Sequence, residues 1–171
     1  KVLFACDGYY YNGKVIDCLG KVAEIAARMP SLERVVIVPY AGSGADIAAV
    51  KHGVSLADFL APFAGEREIR FERLPFDHPL YILYSSGTTG VPKCIVHSAG
   101  GTLLQHLKEQ RLHSDIKTGD RLFYFTTCGW MMWNWLVSGL AAGATLLLYD
   151  GSPFAARGTV LFDYAAAEKM T

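Results

Sequence analysis

Residues 84–93 read Tyr-Ser-Ser-Gly-Thr-Thr-Gly-Val-Pro-Lys, and the apolar run that leads into them, residues 80–84, predicts a strand. The glycines let backbone N–H groups approach an anion without interference from a Cβ atom, and the hydroxyl side chains add further donors. Lys93 brings a positive charge suited to a terminal phosphate. This composition indicates a phosphate-binding loop, although a solvated turn between two strands would have the same composition.

The loop differs from the Walker A motif, which requires Gly-x-x-x-x-Gly-Lys followed by Ser or Thr. Here the nearest glycine, Gly90, lies three residues before Lys93, and Cys94 follows the lysine. The sequence contains no Gly-x-Ser-x-Gly motif of the serine hydrolases. A dinucleotide-binding pattern that starts at Gly42 fails because Ile47 stands where its third glycine belongs. The sequence therefore disfavours these three classes of enzyme.

The ordered string of residues 84–93 resembles the phosphate-loop signature of the adenylate-forming superfamily, whose usual form is Tyr-Thr-Ser-Gly-Thr/Ser-Thr-Gly-x-Pro-Lys-Gly. This superfamily includes acyl-CoA synthetases, luciferases and the adenylation domains of peptide synthetases. Two further stretches resemble its acetoacetyl-CoA synthetase branch: residues 94–109, which begin Cys-Ile-Val-His-Ser, and residues 126–135, Thr-Thr-Cys-Gly-Trp-Met-Met-Trp-Asn-Trp. The resemblance is strong over residues 80–153 and weaker before them.

The resemblance implies an ATP-dependent acetoacetate–CoA ligase that forms an acyl-adenylate, releases pyrophosphate and transfers the acyl group to CoA, with AMP as the second product and Mg²⁺ assisting at the phosphates. It assigns seven residues to the ATP phosphates: Ser85, Ser86, Gly87, Thr88, Thr89, Gly90 and Lys93. Of these, Lys93, Thr88 and Thr89 are predicted to act in catalysis, and either threonine could approach the metal. No protein side chain is assigned as a metal ligand.

The same resemblance predicts that Trp130, Met131 and Met132 line the acyl pocket, and His97 and Asn134 are added to this pocket as candidate hydrogen-bond donors. From its place at the end of the strand after the loop, His97 could equally orient the loop or be an ordinary hydrogen-bonded histidine at a strand end. On pattern alone, a cluster of Trp and Met side chains fits a hydrophobic core as well as a pocket. His97 or Asn134 could donate a hydrogen bond to the keto oxygen of acetoacetate. His106 and His113, two turns apart on one helix face, are predicted only to pack or to face solvent.

The hydrophobic pattern predicts an α/β fold with a largely parallel sheet flanked by helices. A first βαβ unit combines strands at Val2–Cys6 and residues 35–38 with a helix over residues 14–28. Further elements are predicted in chain order: a helix at Leu56–Leu60, strands at 71–74, 80–84 and 94–97, a helix at 100–113, a strand at 122–125, a helical region at 133–142 and a strand at 145–149.

The chain is predicted to be one partial domain, a piece of the large N-terminal domain of an adenylate-forming enzyme, and to be inactive alone. It comprises a βαβ-type segment over residues 1–79, the phosphate-loop and acyl-pocket region over 80–153, and the start of a helical segment over 154–171. The adenine- and ribose-binding motifs and the catalytic C-terminal lysine of the superfamily are expected downstream.

Composition limits the possible partners. Sixteen basic and sixteen acidic residues leave no net charge, which argues against nucleic acid and an anionic membrane surface. The four cysteines form no Cys-x-x-Cys pair and no signal peptide is recognisable, so a cytoplasmic setting is predicted. A mean hydropathy of +0.22 is high for a globular domain, and we expect the isolated chain to self-associate through exposed apolar faces.

Two alternatives remain open at this point. An acetyl- or propionyl-CoA synthetase would use the same phosphate loop with a shorter acyl pocket. A nucleotide-binding or interaction module without catalysis would keep the loop alone.

Overall fold

The computed structural model describes residues 1–42, 46–85 and 90–171. These residues form two compact units. The first contains Lys1–Arg70 and Asp150–Ala155, and the second contains Phe71–Tyr149 and Ala156–Thr171. The boundaries predicted at residues 79 and 153, between the three segments named in the sequence analysis, remain predictions.

The first unit is built on a three-stranded parallel sheet. Its helices and strands are β1 (Val2–Cys6), β2 (Gly8–Tyr11), β3 (Lys14–Asp17), α1 (Leu19–Arg28), β4 (Arg34–Val38), β5 (Gly53–Ser55) and α2 (Leu56–Leu60), with 3₁₀ turns at Ile47–Ala49 and Ala61–Phe63. The strand order is β1-β4-β5, with Phe4 and Val54 on either side of Val36. The predicted βαβ arrangement of β1, α1 and β4 is therefore confirmed.

The central strand β4 is covered on both faces. Val35 and Val36 are both 0% exposed, and Ile37 is buried as well. Val35 and Ile37 belong to one hydrophobic cluster with Val22 and Ala26 of α1. An unbroken apolar run is typical of a parallel strand that is buried in this way.

The helix predicted over residues 14–28 is wrong at its start. Lys14–Asp17 instead forms β3, which pairs antiparallel with β2, and α1 begins at Leu19. Asn12 and Gly13 join the two strands, and both have positive φ angles, 49° and 72°. A two-residue hairpin turn of this type requires positive φ at both central positions, and Asn-Gly is the preferred pair because both residues adopt positive φ readily. This dipeptide was the sequence signal for the hairpin.

The second unit contains an antiparallel hairpin and a parallel strand pair. Its elements are β6 (Pro79–Ser85), β7 (Lys93–Ser98), α3 (Ala99–Lys108), β8 (Arg121–Phe123), α4 (Met131–Ser138), β9 (Thr145–Leu147) and α5 (Val160–Glu168), with a π-helical turn at Glu109–His113 and 3₁₀ turns at Gly139–Ala142 and Ala156–Gly158. β6 pairs with β7 and β8 pairs with β9. The strands and helices predicted between residues 80 and 149 are confirmed, although β8 and β9 are shorter than predicted.

The strand predicted at residues 71–74 is wrong, because these exposed residues form no regular element and none of the described strands pairs with them.

Two backbone carbonyl groups that follow this segment accept hydrogen bonds at the start of α3. Phe76 and His78 accept hydrogen bonds from the backbone N–H groups of Gly100 (2.9 Å) and Ala99 (2.8 Å). These contacts satisfy the first N–H groups of α3. A Cβ atom at position 100 would lie 2.1 Å from the Phe76 ring, so this close approach requires glycine.

The two units contain the mixed α/β structure that was predicted, with a parallel sheet and flanking helices. Over residues 1–42, 46–85 and 90–171, no helix has the length and apolar character needed to cross a membrane.

Candidate functional site

The β6–β7 hairpin positions the two ends of the predicted phosphate loop. Ser85 ends β6 and lies opposite Lys93, the first residue of β7. Gly90 has a φ angle of +100°, a conformation that side chains of L residues rarely adopt. Backbone geometry is the reason for glycine here, since no described atom lies within 4 Å of the place where a Cβ would stand.

Lys93 is exposed at the start of β7, and it takes part in none of the salt bridges found among the described residues. Its charge is therefore available to an anion at this end of the hairpin. Four of the predicted phosphate-binding residues, Ser86, Gly87, Thr88 and Thr89, lie outside the described residues.

A cavity of about 810 Å³ lies in the second unit, within the size range of small-molecule sites. We call it the α3–α4 cavity. Its walls come from the end of β7, one face of α3, the π-helical turn and the start of α4, and they comprise Val96, His97, Ser98, Gly101, Thr102, Gln105, His106, Glu109, His113, Ser114, Tyr124, Met131, Met132 and Trp135. Three residues of the predicted acyl pocket, His97, Met131 and Met132, meet in this cavity.

The other two residues predicted for the acyl pocket lie elsewhere. Trp130 lines a neighbouring cavity of about 300 Å³, to which Met132 and Tyr124 also contribute. Asn134 is not among the described residues that line either of these two cavities. Its backbone carbonyl accepts a hydrogen bond from Ser138 one turn later in α4. The structure therefore does not bring the Asn134 side chain to the α3–α4 cavity.

His106 and His113 line the α3–α4 cavity, although the sequence indicated only packing or solvent exposure for them. The signal that could have identified them is a polar stripe on α3 and the turn after it. Thr102, His106 and Glu109 recur at helical spacing and face the same cavity.

The orientation of His106 is set by a hydrogen bond between its Nδ1 atom and the Oγ atom of Ser138, at 2.9 Å. Burial lowers the pKa of the His106 imidazole from its ordinary value of 6.5. The Glu109 carboxylate opposes this shift, and His97 adds to it. His106 is therefore predominantly neutral at neutral pH.

Two further polar groups stand in the same wall. Gln105 donates a hydrogen bond from Nε2 to Glu109 Oε1 at 2.5 Å. Thr102 is only 8% exposed, and its Oγ1 atom has no partner among the described residues. Within residues 1–42, 46–85 and 90–171, no group of three or more His, Cys, Asp or Glu side chains is placed so that it could hold a metal ion.

Comparison with known proteins shows the family to which the chain belongs. Residues 3–171 match the family model described as AMP-binding enzyme. The chain is 66% identical over 171 residues to the acetoacetyl-coenzyme A synthetase of Rhizobium meliloti (strain 1021), covering 99% of this chain and 26% of that protein. It is 50% identical over 167 residues to the acetoacetyl-CoA synthetase of Gallus gallus, covering 95% of this chain and 25% of that protein.

A solved structure gives the same result. The acetoacetyl-CoA synthetase from Streptomyces lividans superposes on 99% of this chain with a TM-score of 0.88 and 46% sequence identity. The chain covers 25% of that protein. It thus spans about a quarter of the length of the relatives that it matches.

Proposed function

Because the chain belongs to the family of AMP-binding enzymes, we propose that it carries the phosphate loop and one wall of the acyl pocket of an ATP-dependent acetoacetate–CoA ligase. The observation that carries this proposal is that one strand, β7, begins at Lys93 and ends at the cavity residues His97 and Ser98. The four-residue step from Lys93 to His97 spans about 13 Å in an extended strand. An acid in the cavity and a triphosphate at the loop can therefore meet between the two ends.

In the proposed first step, a carboxylate oxygen of acetoacetate attacks the α-phosphorus of ATP, and the bond to the bridging oxygen of pyrophosphate breaks. Negative charge grows on the leaving pyrophosphate as this bond breaks. The ammonium group of Lys93 and the hydroxyl and N–H donors of the loop stabilise that charge. In the second step the thiolate of CoA attacks the acyl carbon, and AMP leaves.

Magnesium is part of this proposal as the ion that neutralises phosphate charge when it is bound. The described residues supply no cage of three acidic, His or Cys ligands. Mg²⁺ commonly binds through substrate phosphates with few protein ligands. The predicted protein contact to the magnesium ion remains Thr88 or Thr89.

At the other end of β7, the α3–α4 cavity would hold the acyl chain. Met131 and Met132 provide unbranched, deformable walls, and His97 provides a possible donor to the keto oxygen. Asn134 is not among the residues that line this cavity. Of the two predicted donors, we therefore propose that His97 donates the hydrogen bond to the keto oxygen. The cavity exceeds the volume of a four-carbon acid, and we expect other parts of the enzyme to narrow it.

The named relatives support acetoacetate as the acid, since those compared above are acetoacetyl-CoA synthetases. A cytoplasmic enzyme is also part of the proposal, and the free thiols of Cys6, Cys18, Cys94 and Cys128 support it.

The test is the substrate preference of the full-length enzyme. We expect kcat/KM for acetoacetate to exceed that for butyrate by about 10-fold or more, because butyrate leaves the donor of the site unpaired. Acetate should be poorer still, since it does not fill the cavity. A preference for acetate or butyrate would contradict the acyl assignment alone. Failure to form AMP with any of these acids would contradict the ligase chemistry as well.

A further inference from the structure

Two cavities of the second unit share a wall. The α3–α4 cavity of about 810 Å³ and its neighbour of about 300 Å³, which we call the β8–α4 cavity, have only Tyr124 and Met132 in common among the described residues that line them. These two residues therefore lie between the two spaces. The inference below rests on the proposed function, because it concerns the length of the acid that binds in the α3–α4 cavity.

The residues at the start of α4 are divided between the same two spaces. Of the two cavities, Trp130 lines only the β8–α4 cavity, and Met131, the first residue of α4, lines only the α3–α4 cavity. Met132 lines both. Its side chain is unbranched and adapts to its surroundings, so it forms the deformable part of the wall.

Tyr124 is the rigid part of the wall. It follows directly after β8, and its ring meets the ring of Trp135 in α4 edge to face, with centroids 6.2 Å apart and planes inclined at 61°. Aromatic pairs in this arrangement attract each other beyond the effect of burial. Trp135 lines the α3–α4 cavity and is not among the described residues that line the β8–α4 cavity. The contact thus holds the Tyr124 ring at the boundary between the two spaces.

The surface beyond this wall suits an alkyl chain. The described residues that line the β8–α4 cavity are aromatic, apolar or uncharged polar: Tyr124, Phe125, Thr126, Thr127, Trp130 and Met132. Moving a methylene group from water to apolar surface is favourable. An acid whose chain passed the wall would therefore gain apolar contacts in the β8–α4 cavity.

We propose that Tyr124 is a specificity-determining residue that limits the acid to a short chain by closing the α3–α4 cavity toward the β8–α4 cavity. The carboxylate and keto group of any 3-oxo acid bind as those of acetoacetate do. Because other parts of the enzyme are expected to narrow the α3–α4 cavity, the alkyl chain beyond C4 meets the wall. A small side chain at position 124 joins the two spaces, and the β8–α4 cavity then takes the chain of a longer 3-oxo acid.

The experiment measures AMP formation by the full-length enzyme with acetoacetate, 3-oxohexanoate and 3-oxooctanoate. In the wild-type enzyme, kcat/KM should fall as the chain lengthens. In Tyr124→Ala enzyme, the ratio of kcat/KM for 3-oxooctanoate to kcat/KM for acetoacetate should rise at least about 10-fold, because the added methylene groups reach apolar surface. Wild-type activity with acetoacetate reports separately on the proposed function. An enzyme that uses acetoacetate but shows no rise in this ratio would contradict the role of Tyr124 alone.

Further variants separate the ring of Tyr124 from its hydroxyl group and from the fold. Tyr124→Phe keeps the ring and should leave the ratio within about 2-fold of the wild-type value. Tyr124→Leu keeps an apolar contact with Trp135 and should raise the ratio by a smaller factor, so it tests the proposal even where Tyr124→Ala does not fold. Tyr11→Ala, the same substitution at an exposed tyrosine of β2 that lines neither cavity, is the matched control and should leave the ratio unchanged.

A double variant tests where the added chain lies. Thr126→Phe in the Tyr124→Ala enzyme puts a ring into the β8–α4 cavity and should return the ratio to near its wild-type value. A ratio that stays as high as in Tyr124→Ala would show that the chain lies elsewhere and would overturn the proposal.

Two other outcomes would also overturn it. One is an unchanged ratio in folded Tyr124→Ala or Tyr124→Leu enzyme, with folding checked by circular dichroism. The other is a wild-type enzyme that uses 3-oxooctanoate as readily as acetoacetate, since Tyr124 would then close nothing.

Discussion

Strands β4 and β7 each contain a short apolar run, residues 35–38 and 94–96, and the structure surrounds the two strands very differently. Val36 in β4 is 0% exposed, whereas Val96 in β7 is 58% exposed. β4 has a strand on each side, while β7, within the described residues, pairs with β6 alone. A covered strand stabilises its unit through burial. An uncovered one keeps its side chains available, and β7 is the strand that joins Lys93 to the α3–α4 cavity.

The largest expected effect tests this comparison with one substitution at two places. Val36→Asp would put an unpaired charge in a fully buried site and should lower the free energy of unfolding by about 4 kcal/mol or more. Val96→Asp, on an exposed face, should change it by less than about 1 kcal/mol. Urea denaturation of the 171-residue chain, followed by circular dichroism, measures both. Equal losses would mean that β4 and β7 do not differ as described.

The second prediction concerns the function of the exposed strand. In the full-length enzyme, Lys93→Ala should slow adenylate formation by about 10²- to 10³-fold, because one charge on the leaving pyrophosphate is no longer stabilised. Transfer to CoA from preformed acetoacetyl-adenylate should remain close to the wild-type rate. Lys108→Ala, an exposed lysine of α3 outside the cavity lining, is the control. If both half-reactions slowed equally, Lys93 would support the fold instead of the phosphates.

A third prediction concerns the uncovered face of the hairpin. Ile82 lies opposite Val96, Tyr84 lies two residues further on the same face, and all three are exposed. We expect the isolated chain to self-associate at tens of micromolar through such apolar surface. Light scattering should show a larger monomer fraction after Ile82→Lys combined with Val96→Lys. A wild-type chain that is wholly monomeric under these conditions would argue against this use of the face.

The smallest expected effect is a dependence of stability on pH at His106. Its pKa is lowered in the folded chain, so below 6.5 the unfolded chain binds more protons than the folded one. Stability from this group is thus fully present above about pH 6.5 and is lost as the pH falls toward the folded pKa. Urea denaturation at pH 5.5 and 7.5 should show a smaller pH-dependent difference for His106→Gln than for the wild type. The same difference in both would show that His106 is not the group responsible.

The sequence predicted β4 and the β6–β7 hairpin because their apolar runs and the loop between the hairpin strands are local features. It failed at β3 because Val15 falls into helical spacing with Leu19 and Val22, while the turn at Asn12 and Gly13 decides the structure. Local turn chemistry prevailed there over hydrophobic periodicity.

The α3–α4 cavity could be predicted only in part. Resemblance to a family motif predicted Met131 and Met132 as pocket residues, the place of His97 at a strand end predicted it near the acyl site, and all three line this cavity. The orientation of His106 depends on Ser138, which lies 32 residues away on another helix. No local pattern encodes such a contact, since it exists only once α3 and α4 have packed together.

We propose that the acyl group binds in the α3–α4 cavity at the end of β7, and that the phosphate loop lies at the beginning of the same strand. The most direct measurement is a crystal structure of the full-length enzyme with an acetoacetyl-adenylate analogue in which a sulfamate replaces the phosphate. We expect the acyl carbons within about 4 Å of Met131 and Met132 and the keto oxygen within about 3.2 Å of a ring nitrogen of His97. An acyl group bound outside the α3–α4 cavity would contradict the account.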